Sequence, residues 1–175
     1  NDTSNIFIAD NIIGHHLSSG IEVDSKNNIT ITSNDLIEDI IHASALLVDN
    51  NTNKLNNLPI VIYRDKSDIT IKNMEIGEAI IENCASANIY NSHFYALVTN
   101  ATNLTVDGCT ISSSNGVLLA NNSNIHIIGA EISGMVFIGG NEISIENSTL
   151  DVEYLVIDTK DLLLRHNSIH ALYIV

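Results

Sequence analysis

Three acidic residues lie close together in this sequence and have the chemistry of a calcium ligand set. Asp35, Glu38 and Asp39 offer hard carboxylate oxygens, which are the ligands that Ca²⁺ prefers in proteins. Their spacing matches no defined calcium loop, so a solvated acidic patch is the simpler interpretation. Calcium is therefore the one ion that we consider, as a hypothesis, and the sequence suggests no other cofactor.

Seven asparagines stand in the N-x-Ser/Thr pattern that accepts N-linked glycans. They are Asn1, Asn28, Asn50, Asn100, Asn103, Asn121 and Asn147. The composition is rich in Asn, Ser and Thr, so chance accounts for part of this count. The pattern favours a glycoprotein that is extracellular or at the cell surface.

The overall charge excludes several classes of partner. The 175 residues include 21 acidic and only seven basic side chains, which gives a formal net charge of −14. Nucleic acid phosphates and anionic membranes would repel such a chain. No apolar run reaches the roughly 18 residues that a membrane-spanning helix needs. We therefore expect neither nucleic acid binding nor membrane insertion.

An eight-residue phrase recurs along the chain and must position these groups. Its form is apolar-x-apolar-x-polar-small-x-apolar, except that Met74 takes the small position once. The copies run over residues 6–13, 29–36, 69–76, 87–94, 104–111, 125–132, 143–150 and 162–169. Their starts lie 17 to 23 residues apart, apart from one gap of 40 residues. A strand phrase repeated about every 20 residues indicates a solenoid.

Within each phrase the spacing predicts a strand, a corner and a second short strand. Apolar residues at the first and third positions alternate as a half-buried strand requires, and the break at the fifth and sixth positions marks the corner. Stacked coils would place Ile71, Val106, Ile127 and Ile145 in one interior column. We predict an all-β, right-handed parallel β-helix of about eight to nine rungs, because rungs of this length favour the right hand over a left-handed β-helix.

Two phrases carry a resemblance to a known superfamily. Asn28–Leu36 reads N-I-T-I-T-S-N-D-L, and Asn103–Ile111 reads N-L-T-V-D-G-C-T-I. This pattern resembles the short-repeat branch of the right-handed parallel β-helix proteins, the pectin-lyase-like superfamily. The resemblance covers nearly the whole chain. It implies the fold and, less specifically, a carbohydrate-binding or carbohydrate-active domain of the lyase or hydrolase type.

One domain over residues 1–175 is the natural interpretation. The 40-residue gap hides one degenerate rung, and its Asn-rich segment near 49–58 is predicted to be a loop insertion. Cys84 and Cys109 would lie two rungs apart, which is beyond the reach of a disulfide. We expect both to be buried free thiols.

The outward positions of the first strands do not bring catalytic groups together. Asp107 and Glu146 would be separated by a full rung, and no paired carboxylates or neighbouring arginine base emerge. We therefore predict no catalytic residues and a non-enzymatic protein. In the alternative, a carbohydrate would bind along this face, near Asn88, Tyr90, Asp107 and Glu146.

The predicted first and last rungs lack a helical or charged cap. A solenoid without caps exposes unpaired backbone and apolar core, which favours stacking. We predict an assembly interface formed by Ile6, Ile8, Leu172, Tyr173, Ile174 and Val175. The expected partner is a second copy in a head-to-tail filament or surface layer, or the remainder of a longer β-helix, since the chain starts with Asn1. The expected function is a structural, self-assembling subunit.

Overall fold

Every regular element in the described part of the chain is a β-strand. The computed structural model describes residues 6–14, 19–23, 29–37, 40–43, 47–48 and 52–174. The first eight strands are β1 (Ile6–Ala9), β2 (Ile12–Gly14), β3 (Ser19–Val23), β4 (Ile29–Thr32), β5 (Asp35–Ile37), β6 (Ile40–Ala43), β7 (Leu47–Val48) and β8 (Lys54–Leu55). The other eight are β9 (Leu58–Arg64), β10 (Asp68–Lys72), β11 (Glu75–Tyr90), β12 (His93–Asp107), β13 (Thr110–Ile128), β14 (Glu131–Glu146), β15 (Thr149–Arg165) and β16 (Ser168–Ile174).

The strands stack as the parallel coils of a β-solenoid, which confirms the predicted fold class. The predicted interior column is also confirmed, because Ile71, Ile89, Val106, Ile127 and Ile145 follow one another in parallel register. All five side chains are buried. The stack has about seven turns, fewer than the eight to nine predicted.

A residue with a left-handed backbone forms the corner after the first strand in each of the eight copies of the repeated phrase. The residues with positive φ at this position are Asp10, Ser33, Asn73, Asn91, Gly108, Gly129, Asn147 and His166. Gly, Asn and Asp tolerate this conformation best, which explains why the fifth position of the phrase avoids β-branched residues. We call the residues that follow these corners, together with Asn53, the corner column.

A two-residue hairpin reverses the chain between β8 and β9. Lys54 and Leu55 pair antiparallel with Pro59 and Leu58. The turn residues Asn56 and Asn57 have φ of 51° and 64°, as a type I′ turn requires at both central positions. We call β1–β8 together the amino-terminal coil and β9–β16 together the carboxy-terminal coil. Each of these two regions consists of several single coils, and "the first coil", "the last coil" and "the following coil" refer to these single turns of the stack.

The described part of the predicted loop insertion, residues 52–58, contributes to the interior. Asn53 and Leu55 are both buried. The degenerate rung that the 40-residue gap hides is β7 with β8, since β7 pairs in parallel with β4 and β8 with β5. Residues 49–51 lie outside the described residues.

The two coils share a sheet but place their cores on its opposite faces. Val61 and Ile81 belong to the large core of the carboxy-terminal coil. Ile60 and Ile80, on the same two strands, instead pack in a second core with Leu55. The hairpin reverses the strand direction, and the core moves to the opposite face of the sheet. Each change alone would invert the handedness of the winding, so both together leave it the same in the two coils.

The junction between the two cores contains a buried acid and a close backbone contact. Glu78 lies in register between Ile60 and Ala96, and its side chain is fully buried. A Cβ on the neighbouring Gly77 would lie 2.6 Å from the Leu55 carbonyl oxygen. Glycine at position 77 therefore allows the hairpin to pack directly on β11.

Candidate functional site

On the outer face of the first strands Asp107 and Glu146 lie apart, as the sequence predicts, whereas Glu142 and Asp161 are register partners on neighbouring coils. Asp107 pairs with Ile128, and Ile128 pairs with Glu146, so a full coil separates the two carboxylates. Glu146 accepts a hydrogen bond from the Ser144 hydroxyl at 3.3 Å and lies 3.9 Å from the Arg165 guanidinium. These contacts satisfy the carboxylate within its own face, and no acid–base pair for glycoside chemistry forms between Asp107 and Glu146.

The same face would offer a carbohydrate little to hold. The Asn88 amide donates to the Ser86 hydroxyl at 3.2 Å, and Tyr90 is half-buried. A shallow cavity of about 380 Å³ further along this face is lined by His126, Glu142, Ser144 and Asp161, with Leu162 beside them. Of the four residues predicted for the carbohydrate face, Asn88, Tyr90 and Asp107 lie on two neighbouring strands, whereas Glu146 lies two coils beyond Asp107.

A histidine and a serine lie within hydrogen-bonding distance on the outer face of the second strands. His93 Nε2 lies 3.0 Å from Ser112 Oγ, and the His93 ring is 5.4 Å from the ring of Tyr95. This is the distance at which a base can activate a nucleophile. Within the described ranges no carboxylate forms a hydrogen bond with the other His93 nitrogen, so the orienting acid of a triad is missing there.

A shallow groove on the outer surface of β13, β14 and β15 combines an aromatic ring with polar side chains. It measures about 470 Å³, and its lining includes Phe137, Asn141, Asp158, Thr159 and Lys160. Phe137 is 39% exposed, which makes its ring available for contact. Sequence reasoning missed both this groove and the His93–Ser112 pair, because only the outward positions of the first strands were compared across rungs.

The calcium hypothesis concerns residues that are only partly described. Asp35 lies on β5 and is half-buried, whereas Glu38 and Asp39 lie outside the described residues. In the described ranges no three His, Cys, Asp or Glu side chains are grouped so that they could hold a metal ion. Calcium binding by the three acids therefore stays a prediction.

The predicted glycan acceptors that the structure describes with their side chains are on the surface. Asn100, Asn103 and Asn147 are exposed, whereas Asn1, Asn28 and Asn50 lie outside the described residues, and of Asn121 only the backbone, in β13, is described.

Cys84 and Cys109 are free and buried, as predicted. Desolvation raises the pKa of the Cys109 thiol, and the Ser92 N–H that donates to its sulfur opposes part of this rise.

The corner column of the amino-terminal coil is an asparagine ladder. The backbone N–H and the side-chain amide of Asn11 both donate to Asn34 Oδ1, at 3.1 and 3.0 Å. In the same way the Asn34 N–H and amide donate to Asn53 Oδ1, both at 3.0 Å. The Asn34 amide also reaches the Ile8 carbonyl at 2.9 Å. Each corner N–H is thus accepted by the side chain of the following coil.

In the carboxy-terminal coil, too, corner N–H groups donate to side chains of the following coil, but most of the accepting residues are serines instead of asparagines. The Met74 N–H donates to Ser92 Oγ at 3.2 Å, and the Ala130 N–H donates to Ser148 Oγ at 3.1 Å. The Ser148 N–H donates in turn to Asn167 Oδ1 at 2.9 Å. The corner column therefore has one direction in both coils, from each coil to the next.

The last coil exposes the positions that every preceding coil of this region buries. Leu162 and Leu164 are 46% and 45% exposed. Their register partners in the coil before, Ile143 and Ile145, are 2% and 0% exposed. A further coil placed on Leu162 and Leu164 would bury them in the same way.

The predicted assembly residues that the structure describes lie on the first and last coils. Ile6 is exposed and Ile8 is half-buried, and on β16 Leu172, Tyr173 and Ile174 are exposed. The ring of Tyr173 stacks on that of Tyr154 at 4.9 Å, and Tyr173 is 57% exposed. Val175 lies outside the described residues. The first and last coils therefore both carry exposed apolar side chains.

Sequence and structure comparisons add nothing to this description of the fold. Among the described residues there is no helix with the length and hydrophobicity that a membrane span requires. Searches against protein-family models, curated proteins and solved structures give no match for the chain. The fold is thus established by strand pairing and burial: it is a β-solenoid of stacked parallel coils.

Proposed function

We propose that this protein is a non-enzymatic structural subunit that assembles end to end through its first and last coils. The observation that carries the proposal is the exposed apolar face of the last coil, whose register partners one coil earlier are buried. Burying a large apolar side chain contributes about 1.5 to 3 kcal/mol, so covering several of them together favours association strongly.

Charge supports association at the ends rather than along the walls. The net charge of −14 repels copies that approach side by side. Leu162, Leu163 and Leu164 at one end and Ile6 and Phe7 at the other carry no charge. A contact between ends therefore avoids most of the repulsion, and the product is an open filament when the contact does not close.

We further propose an extracellular or cell-surface location and a place in the right-handed pectin-lyase-like superfamily. The exposed glycan-acceptor positions Asn100, Asn103 and Asn147 support the location. The phrases that begin at Asn28 and Asn103 support the superfamily.

A second candidate function is carbohydrate binding, and the groove beside Phe137 favours it. An exposed aromatic ring can contact a sugar face, while Asn141, Asp158 and Lys160 can hydrogen-bond hydroxyl groups. A glycan array with the wild type and Phe137→Ala would test this. Binding that Phe137→Ala abolishes would support the groove, and the absence of binding would reject it.

Sedimentation velocity and negative-stain images over a range of protein concentrations test the assembly. The wild type should form rods that lengthen with concentration. Leu164→Glu should remain a monomer, because Leu164 lies in register with the buried Ile145 and is itself 45% exposed, so the new charge would enter the end contact. Phe137→Glu changes an exposed apolar residue on a wall and should assemble normally. A wild type that stays a monomer at all concentrations, with and without calcium, would reject the proposed function.

A further inference from the structure

The direction of the corner column gives the first and last described coils different hydrogen-bonding groups. Every corner N–H described above is accepted by a side chain of the following coil. At the last coil the Asn167 N–H has no acceptor among the described residues, although the Asn167 side chain bonds Ser148 and the Ile145 carbonyl. The last coil therefore presents an unpaired donor at its corner.

The first coil presents the matching acceptor. Both nitrogens of Asn11 donate within the molecule, to Ala9 and Asn34, but within the described ranges no group donates to Asn11 Oδ1. In the ladder, the equivalent oxygens of Asn34 and Asn53 each accept from the coil before. Asn11 Oδ1 thus occupies the position that an additional preceding coil would use.

The apolar positions of the two ends match in the same register. If Asn167 lies before Asn11, then Leu162 and Leu164 meet Ile6 and Ile8 by their positions in the repeated phrase. These are the first and third positions of the phrase. Inside the stack the residues at these two positions point into the interior, as the buried Ile29 and Ile31 do. A single register of the two ends therefore places Asn167 against Asn11 and the two leucines against the two isoleucines at the same time.

We propose that the partner of the end face is a second copy of this chain in head-to-tail order, with the Asn167 N–H of one copy donating to Asn11 Oδ1 of the next. This inference rests on the proposed end-to-end assembly and adds its polarity and register. A tail-to-tail contact would place two Asn167 donors together without an acceptor, whereas the head-to-tail contact extends the parallel ladder from one molecule to the next.

Cysteine pairs at the outward second position of the phrase test the register. Phe7 and Leu163 hold this position in the first and last coils, and both are more than half exposed. Adjacent strands lie about 4.8 Å apart, which is within disulfide reach. Phe7→Cys and Leu163→Cys, carrying different tags, are mixed and mildly oxidised. The wild type, whose two native thiols are buried, is the control.

A crosslinked species that contains both tags is the expected result. Assembly with crosslinks only between two Leu163→Cys chains, or with no crosslink at all, would overturn the register while leaving end-to-end assembly in place. The absence of assembly in the wild type would overturn the proposed function itself.

Asn11→Ala tests the hydrogen bond. Losing one interfacial hydrogen bond should weaken association about tenfold. Because Asn11 also donates within the molecule, the melting temperature of the dilute monomer is measured in parallel. Unchanged association of Asn11→Ala would overturn the Asn167–Asn11 contact. Weaker association, in a variant whose monomer melts near the wild-type temperature, would support it.

Discussion

The two coils stabilise the same corner in different ways. In the amino-terminal coil the corner column is Asn11, Asn34 and Asn53, and each amide serves both its own coil and its neighbours. In the carboxy-terminal coil the column includes Cys109 and Ala130, which fill space and offer weak or no side-chain acceptors. The backbone geometry is the same in both coils, so the side chain at one position decides how the corner N–H groups are satisfied.

The two coils also differ in which strands supply the described residues of their cores. The large core draws on buried residues of every strand from β9 to β15. Among the residues whose burial the structure describes, the second core has eight buried members, of which Ile60, Ile80 and Ala96 come from the carboxy-terminal coil. The amide ladder adds side-chain hydrogen bonds between the coils that surround this core, and these bonds contribute to the stability of the amino-terminal coil. The ladder also fixes the register of its short strands.

The largest effect is expected at the junction of the two coils. In Gly77→Ala the new Cβ would lie 2.6 Å from the Leu55 carbonyl oxygen and 2.8 Å from that of Leu58, and backbone atoms cannot move aside cheaply. We expect a loss of about 3 kcal/mol in the free energy of unfolding, measured by urea denaturation. Gly139→Ala is the control, because its Cβ would meet only the Phe137 ring at 3.4 Å among close neighbours. Equal losses in both variants would contradict the close packing of the hairpin.

Asn34→Ala should destabilise the amino-terminal coil selectively. It removes the acceptor of both Asn11 nitrogens and the amide donor to the Ile8 and Thr32 carbonyls in a buried position. We expect a loss of about 2 kcal/mol, since unsatisfied buried groups are costly. Amide hydrogen exchange should accelerate in β4 and remain slow in the last half of β13, because coils contact mainly their neighbours.

Asn34→Ser is the matched variant for this test. A serine hydroxyl at the corner accepts the neighbouring N–H in the carboxy-terminal coil, as Ser148 does for Ala130. Asn34→Ser should therefore recover part of the stability lost in Asn34→Ala. Equal exchange rates in the two variants would show that the ladder contributes nothing specific.

The repeat predicted the coil but not its reversal. Alternating apolar residues gave the interior column of Ile71 to Ile145 directly, since a period of two fixes which side chains point inward. The hairpin also carried a local signal, two asparagines at 56 and 57 between Leu55 and Leu58. That signal was interpreted as a protruding loop because the whole segment near 49–58 is polar and rich in asparagine.

The second core could not be predicted from one strand. Ile80 and Ile81 are adjacent, so they point to opposite faces, and both are buried. An unbroken apolar pair is typical of a strand covered on both sides, but the element that covers Ile80 comes from the distant amino-terminal coil. The same holds for the His93–Ser112 pair, because irregular coil lengths decide which residues of neighbouring coils meet.

Ala130→Ser should make the carboxy-terminal corner column more like the ladder. Ala130 is buried and has no side-chain acceptor for the N–H of the preceding corner, Cys109. A hydroxyl there can accept that N–H, as Ser148 accepts from Ala130, so we expect a gain of about 1 kcal/mol. Thermal and urea unfolding measure it. Ala87→Ser, in the interior of a first strand, is the control and should lose stability; a gain in both would contradict the argument.

Cys109→Ser should change the alkaline stability more than the neutral stability. Its position is one where Ser92 and Ser148 already fit, so at neutral pH the free energy of unfolding should stay within about 1 kcal/mol of the wild type. Burial raises the pKa of the Cys109 thiol in the folded state, so the folded protein holds this proton after the unfolded chain has lost it. This contribution to stability is complete below the unfolded pKa and is lost as the pH rises through the folded one. Serine does not titrate there, so urea unfolding should show a smaller alkaline loss in Cys109→Ser than in the wild type. Parallel pH profiles would mean that the thiol ionises as readily in the corner column as in the unfolded chain.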